Sequence, residues 1–298
     1  MIFFISHFPV RVFFIVDCAQ IGSGALHMTL NVVTSLNQKL YEAYGRRFVD
    51  EFVAHASEDV CLWIVFEGKV PSDLQSSPQI KFVEISDSNH PRFIKFFGHL
   101  YEANGVRFIK ETDKNGAVIN RPVVDFRYNA VRFSFKIFAL QLVRSRLNKG
   151  ASFAWLDADM RCLRDFGVVD LDPFMPDEDQ IMSYLGRTKF PPTGPYSECG
   201  FLGFNGGNEE TGRFLDRMEQ IYLSGEIFSM QQWHDSWLWD EVRKEFEAAG
   251  FRFKNLSGDA ADLEHPFINT GLGKYFDHLK GPKRKIEGHS FAADLRNE

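Results

Sequence analysis

The sequence predicts a single α/β domain built on a Rossmann-like mixed sheet flanked by helices. Short β-branched apolar runs alternate with longer amphipathic ones. An apolar run near mid-chain ends directly in two aspartates. No repeat or linker marks a second domain.

The chain has 298 residues, ample for a hydrophobic core without metal or disulfide staples. Aromatic content is 15%, mostly from 31 phenylalanines, and these read mainly as core. The formal net charge of −6 gives no support for a nucleic-acid partner. Cys18, Cys61, Cys162 and Cys199 lie far apart and form no C-x-x-C pair. They suggest reduced thiols in a cytoplasmic setting and no zinc site.

Residues 1–27 form an apolar extension apart from the domain expected over 28–290, with 291–298 as a tail. The run MIFFISHFPVRVFFIVD is broken by His7, Pro9 and Arg11. It is too short for a convincing membrane span and lacks the basic leader of a signal peptide. An extra strand, a peripheral membrane contact and residues upstream of the true start remain open, the last being preferred. Met28 opens a better first strand.

TLNVVTSLN (29–37) reads as a buried strand ending in a polar loop. A helix follows, with Leu40, Tyr44, Phe48 and Phe52 on one face. VCLWIVFEG (60–68) and IKFVEIS (80–86) read as further strands, and 111–122 as a surface loop. DFRYNAVRFSFKIFALQLVRSRL is the strongest helix, with Arg132 and Lys136 one turn apart beside its apolar stripe. ASFAWLDADM, QIMSYLG and GFLGFNGG read as strands. EETGRFLDRMEQIYLSG and DSWLWDEVRKEFEAAG read as helices ending at Gly225 and Gly250.

FAWLDADM carries the chemistry. Alternation along a strand puts Asp157 and Asp159 on one side. Open α/β sheets bind ligands at the carboxyl ends of their strands. Two hard carboxylates there suit Mg²⁺ or Mn²⁺, which also coordinate phosphate oxygens. A chance D-x-D in a turn or helix cap is the competing explanation, and the preceding apolar run weighs against it.

From about residue 29 to 285 the chain resembles glycosyltransferases of the GT-A fold with a D-x-D motif. The DXD sugar-binding and glycogenin-like types are the nearest in pattern. DFRYNAVRFSFKIFAL before FAWLDADM resembles their Arg-bearing helix. FDHLKGPKRK resembles their His-x-x-Gly-x-x-Lys tail, here His278, Gly281 and either Lys283 or Arg284. The resemblance implies a metal-dependent hexosyltransferase-like enzyme with a nucleotide-sugar donor and a hydroxyl-bearing acceptor. It implies His278 as a third metal ligand, and a retaining course.

Lys280, Lys283, Arg284 and Lys285 then read as a phosphate clamp, with Gly281 allowing close backbone approach. A solvated charged tail is the plainer alternative. Arg132 and Lys136 are expected to reach the donor or to snorkel to solvent. Thr34, Ser35 and Asn37 end the first strand, where a base or ribose would sit. Tyr44 lies on the apolar stripe, which leaves Tyr41 as the better stacking ring. Glu198 and Asn205 flank an apolar strand and are candidates for sugar hydroxyls. Trp233 and Asp235 are candidates for a sugar pocket, and Asp235 also suits a helix N-cap. Asp235 and Glu198 are the candidate catalytic carboxylates.

A phosphatase using Asp157 as nucleophile is disfavoured, because Met160-Arg161 follows the motif and about half the chain precedes it. A nucleotidyltransferase would need a Gly-rich basic loop after the first strand, which SLNQKLYEAYG lacks. A non-catalytic sugar- or nucleotide-binding protein of the same fold stays open.

Overall fold

The structure is a computed structural model that describes residues 29–114, 116–189 and 196–296. The 1–27 extension, Met28 and most of the Pro/Gly-rich segment after Gly186 lie outside the described residues.

The described chain is organised by a mixed sheet flanked by helices. The strands β1 (Leu30–Leu36), β2 (Val60–Phe66) and β3 (Ile80–Glu84) are followed by β4 (Val106–Thr112) and β5 (Val118–Val124). Then come β6 (Phe153–Leu156), β7 (Met160–Cys162), β8 (Gln180–Leu185), β9 (Glu198–Phe204), β10 (Arg252–Asn255) and β11 (Phe276–His278). Seven of them form one sheet in the order β10-β8-β9-β6-β1-β2-β3. Only β9 runs against its neighbours. The remaining strands therefore share one carboxyl edge, where Leu36, Phe66, Leu156 and Leu185 end.

Alternation sorts each strand between two cores. Val33, Phe153 and Trp155 pack with the helices Ala130–Arg144, Glu209–Leu223 and Asp235–Ala248. Val32, Ala154 and Leu156 pack on the opposite face with Phe48 and Phe52 of the helix Arg46–His55. Phe153, Phe204, Phe214 and Trp239 are essentially solvent-free. Burial of each such side chain contributes about 1.5–3 kcal/mol. The phenylalanine surplus is thus largely core, as composition suggested. Cys61, Cys162 and Cys199 are all buried. No helix among the described residues is long and apolar enough to cross a membrane.

Three local expectations change. The expected loop over 111–122 is mostly a hairpin of β4 and β5. It was hidden because Phe108, Val118 and Val124 are exposed, so neither face alternates against a core. The helix after β1 contains a π-turn over Tyr41–Gly45, capped upstream by the Asn37 side chain. The surplus residue breaks the stripe that would have buried Tyr44. The basic run ends in a helix, Gly281–Glu287, with Pro282 in its first turn.

Candidate active site at the carboxyl edge

The strand β6 is buried along its length and delivers Asp157 directly to the carboxyl edge. The amide of Asp157 donates to the Gly200 carbonyl at 3.0 Å, which ties the strand exit to β9. The chain then turns through Asp159 into β7, which pairs antiparallel with β11 and sets Met160 opposite His278. The Leu279 amide donates to the Asp159 carbonyl at 2.9 Å. Residues over a hundred positions apart in sequence are thus brought together by backbone pairing.

Each aspartate has one oxygen held and one oxygen turned towards His278. Asp157 Oδ1 accepts from Trp155 Nε1 at 2.6 Å and pairs with Lys136 Nζ at 3.2 Å. Its Oδ2 lies 3.6 Å from His278 Nε2. Asp159 Oδ2 pairs with Lys285 Nζ at 2.6 Å, while Oδ1 lies 3.4 Å from the same Nε2. One ligand atom from each of Asp157, Asp159 and His278 lies within 4.8 Å of the others. Two carboxylate oxygens and an imidazole nitrogen are a donor set that fits a divalent cation such as Mn²⁺ or Mg²⁺.

Electrostatics follow from burial and pairing. Burial opposes charging of His278, but the Asp159 carboxylate outweighs it and raises the ring to about 9. Burial likewise opposes ionisation of Asp159. The His278 and Lys285 cations prevail, and the group sits well below the usual carboxylate range.

Lys136 lies inside the molecule, not at the rim. Its ammonium donates to Asp235 Oδ2 at 2.7 Å and the Cys199 carbonyl at 2.8 Å, besides facing Asp157. Burial works against its charge, yet Asp157 and Asp235 overcome this and raise its pKa. Asp235 is lowered because Lys136 outweighs its own burial. Asp235 does not cap its helix. His234 Nδ1 takes that role, accepting from the Trp237 amide at 3.3 Å.

Glu198 is buried beneath the site, with a side chain 1% exposed. Its Oε1 accepts from His278 Nδ1 at 2.8 Å and pairs with Lys280 at 2.9 Å. Its Oε2 accepts from Arg187 Nη2 and from the Phe267 amide, both at 3.2 Å. Burial is outweighed by Lys280 and His265, and the carboxyl lies well below its ordinary value. Glu198, His265 and His278 also stand close enough to share an ion, but Lys280 and Arg187 already neutralise that carboxylate.

Other expected residues are distributed unevenly. Thr34 is fully buried and its hydroxyl meets no partner among the described residues. Ser35 and Asn37 reach the edge and donate to Glu67 at 3.3 and 2.9 Å. Glu67, one residue beyond β2, was not anticipated. Burial raises its pKa despite those two donors, with Arg132 contributing an opposing field. Arg132 is exposed near the start of its helix, and its charge is also felt by Tyr44.

Tyr41 is buried, its ring 5.9 Å from that of Phe66. Tyr44 instead faces the carboxylates: burial, then Asp159 and Asp157, raise its hydroxyl. Lys285 Nζ lies 5.0 Å from its ring centre. Trp233 packs edge-on to Tyr128 in the core, with Nε1 donating to the Met230 carbonyl at 3.1 Å. Asn205 ends β9 beside the start of β6, at the opposite edge of the sheet, and donates to the Asp177 and Glu178 carbonyls. Gly281 has φ 79°, and it and Lys283 are exposed, whereas Arg284 is committed to Asp294.

Fold and site together define an α/β protein with a carboxylate–histidine cluster at the carboxyl edge of its sheet. No family model matches the sequence, and no curated protein matches it. Among solved structures, the chain is similar to the glycosyltransferase GlyE of Streptococcus pneumoniae TIGR4, with TM-score 0.44, 10% identity, 78% of this chain and 46% of that one. It is similar to mouse xyloside xylosyltransferase 1, with TM-score 0.44, 11% identity, 77% of this chain and 85% of that one. It is also similar to the galactosyltransferase LgtC, solved with donor and acceptor sugar analogs, with TM-score 0.40, 13% identity and 68% of each chain. The chain thus spans less than half the length of GlyE. At this distance the chemistry rests on the chain's own residues.

Proposed function

We propose that this chain is a metal-dependent glycosyltransferase that moves a sugar from a nucleotide-diphosphate donor to a hydroxyl-bearing acceptor. The observation that carries the reading is His278 Nε2 facing Asp157 Oδ2 and Asp159 Oδ1 at 3.6 and 3.4 Å on the ligand-binding edge of the sheet. Asp157, Asp159 and His278 would hold Mn²⁺ or Mg²⁺. A divalent cation there supplies Lewis-acid neutralisation of the charge that develops on a departing diphosphate.

The surrounding residues prepare and complete that site. Lys136 and Trp155 fix the rotamer of Asp157. Lys285, Lys283 and the exposed backbone at Gly281 supply positive charge and close approach for the diphosphate. Lys280 supports them from below through Glu198. Ser35, Asn37 and Glu67 offer polar groups for ribose or base, with Arg132 beside them. Tyr44 takes the stacking role first assigned to Tyr41.

Asp235 is paired with the buried Lys136, and Glu198 with the buried Arg187 and half-buried Lys280, so both are poor bases. This favours a retaining course, in which the acceptor proton passes to the leaving diphosphate. Buried thiols fit a cytoplasmic setting.

The test is donor hydrolysis with Mn²⁺ across UDP- and GDP-linked sugars, comparing wild type with Asp159→Ala. A loss of about 100-fold or more is expected, and an unchanged rate would refute the metal assignment. One observation favours a second reading, a non-catalytic sugar- or nucleotide-binding protein: Lys285 already pairs with Asp159. Nucleotide-dependent thermal stabilisation without any turnover would select it.

A further inference from the structure

Glu198 gathers more polar contacts than any role as a sugar contact requires. It is buried, yet it does not face the cleft. Its Oε1 meets the Nδ1 side of His278, on the far side of the ring from Asp157 and Asp159. The same carboxylate takes the Phe267 amide and the Lys280 ammonium, so it grips the chain before and after β11. The His278 carbonyl is fixed separately, accepting from His265 Nε2 at 2.8 Å.

Gly200 closes the arrangement. The His278 ring rests against the strand where a Cβ on residue 200 would lie. Ring plane, backbone and the Nδ1 end are therefore all determined from behind.

We propose that Glu198 is the positioning residue of the metal site: by accepting the Nδ1–H of His278 it fixes the ring tautomer and directs the Nε2 lone pair between Asp157 and Asp159. Imidazole has one lone pair to give in its neutral form, and the hydrogen bond at the other nitrogen decides which one. An acceptor at Nδ1 forces that proton to remain there. The carboxylate also increases the basicity of Nε2, which strengthens its bond to a cation. Glu198 touches neither ion nor substrate in this scheme. It acts through His278 alone. The inference rests on the reading of Asp157, Asp159 and His278 as ligands.

A double-mutant cycle with Mn²⁺ alone, followed by the paramagnetic resonance signal of free Mn²⁺, separates the two claims. Glu198→Gln keeps the volume but must turn an amide donor towards either His278 or the cations behind it. Affinity should fall about tenfold in that variant, and His278→Ala should cost at least as much. In the His278→Ala background, Glu198→Gln should then have no further effect. Additive losses, or no loss in Glu198→Gln alone, overturn the positioning role while leaving His278 as a ligand. Unchanged Mn²⁺ binding in His278→Ala removes the ligand reading and the proposal together.

Should the Glu198 variant not fold, the wild type decides. Nitrogen-15 histidine spectra of the Mg²⁺-loaded protein should show His278 protonated at Nδ1. A ring protonated at Nε2 overturns the proposal.

Discussion

Gly200 and His278 compete for one volume: a Cβ on residue 200 would stand 2.7 Å from both Cε1 and Nδ1 of the ring. The ring is flat against β9 because the strand has no side chain there. Gly200 has ordinary extended backbone, so the requirement is for space and not for conformation.

Gly200→Ala should therefore displace His278 while leaving the strand intact. Mn²⁺ affinity is expected to fall about 10- to 100-fold, with an overpacking cost of about 1–3 kcal/mol. Metal titration beside urea unfolding measures both. Unaltered affinity in the alanine variant would show that the ring does not need its present seat.

Lys136 bridges Asp157 and Asp235 inside the core. Lys136→Met would leave the buried Asp235 and the half-buried Asp157 without their cation, at a cost of about 3–5 kcal/mol, most of it from Asp235. Adding Asp235→Asn should recover part of that loss. Equal stability of the single and double variants would mean that the ammonium is not compensating Asp235.

In the metal-free protein His278 stays protonated up to about pH 9. A cation at Nε2 must displace that proton, so apparent Mn²⁺ affinity should rise about tenfold per pH unit below that point and then level off. Calorimetry in buffers of different ionisation enthalpy should count close to one proton released at neutral pH. The sign for stability is opposite. The folded pKa is raised, so the His278–Asp159 pair contributes fully below about pH 6.5 and is lost as pH climbs through about 9. Release of no proton at neutral pH would contradict the arrangement.

His90 behaves in the reverse sense. Burial among aromatic rings lowers it from 6.5 to about 4, with Nε2 3.0 Å from Ser134 Oγ. The unfolded chain takes up this proton first, so stability should fall as pH drops from about 6.5 to 4, by about 3 kcal/mol from this group. Unfolding free energies of wild type and His90→Gln across that range should differ in slope. Parallel curves would place the acid sensitivity elsewhere.

What could be read without coordinates follows a physical division. The buried strands and long helices announce themselves by period, and FAWLDADM places two carboxylates at a strand end because burial stops where charge begins. The tail histidine was reached through resemblance, since no local pattern ties residue 278 to residue 159. The hairpin of β4 and β5 was missed because a ribbon solvated on both faces has no apolar alternation. Lys136, Glu198 and Asp235 looked like groups that would face a ligand. Pairing between distant segments decided otherwise: Lys136 meets Asp235, and Glu198 meets His278, Lys280 and Arg187. Glu67 carried no signal beyond its place after an apolar run, and its donors come from a neighbouring strand.

The π-turn at Tyr41–Gly45 has an evolutionary consequence. One surplus residue in that turn sets the phase of everything around it. Deleting it would return the coil to regular winding and rotate one flank by about 100° relative to the other. Tyr44 would then swing off the cleft with its identity unchanged. Length in this short stretch is thus as much an inherited trait as the identity of any side chain it carries.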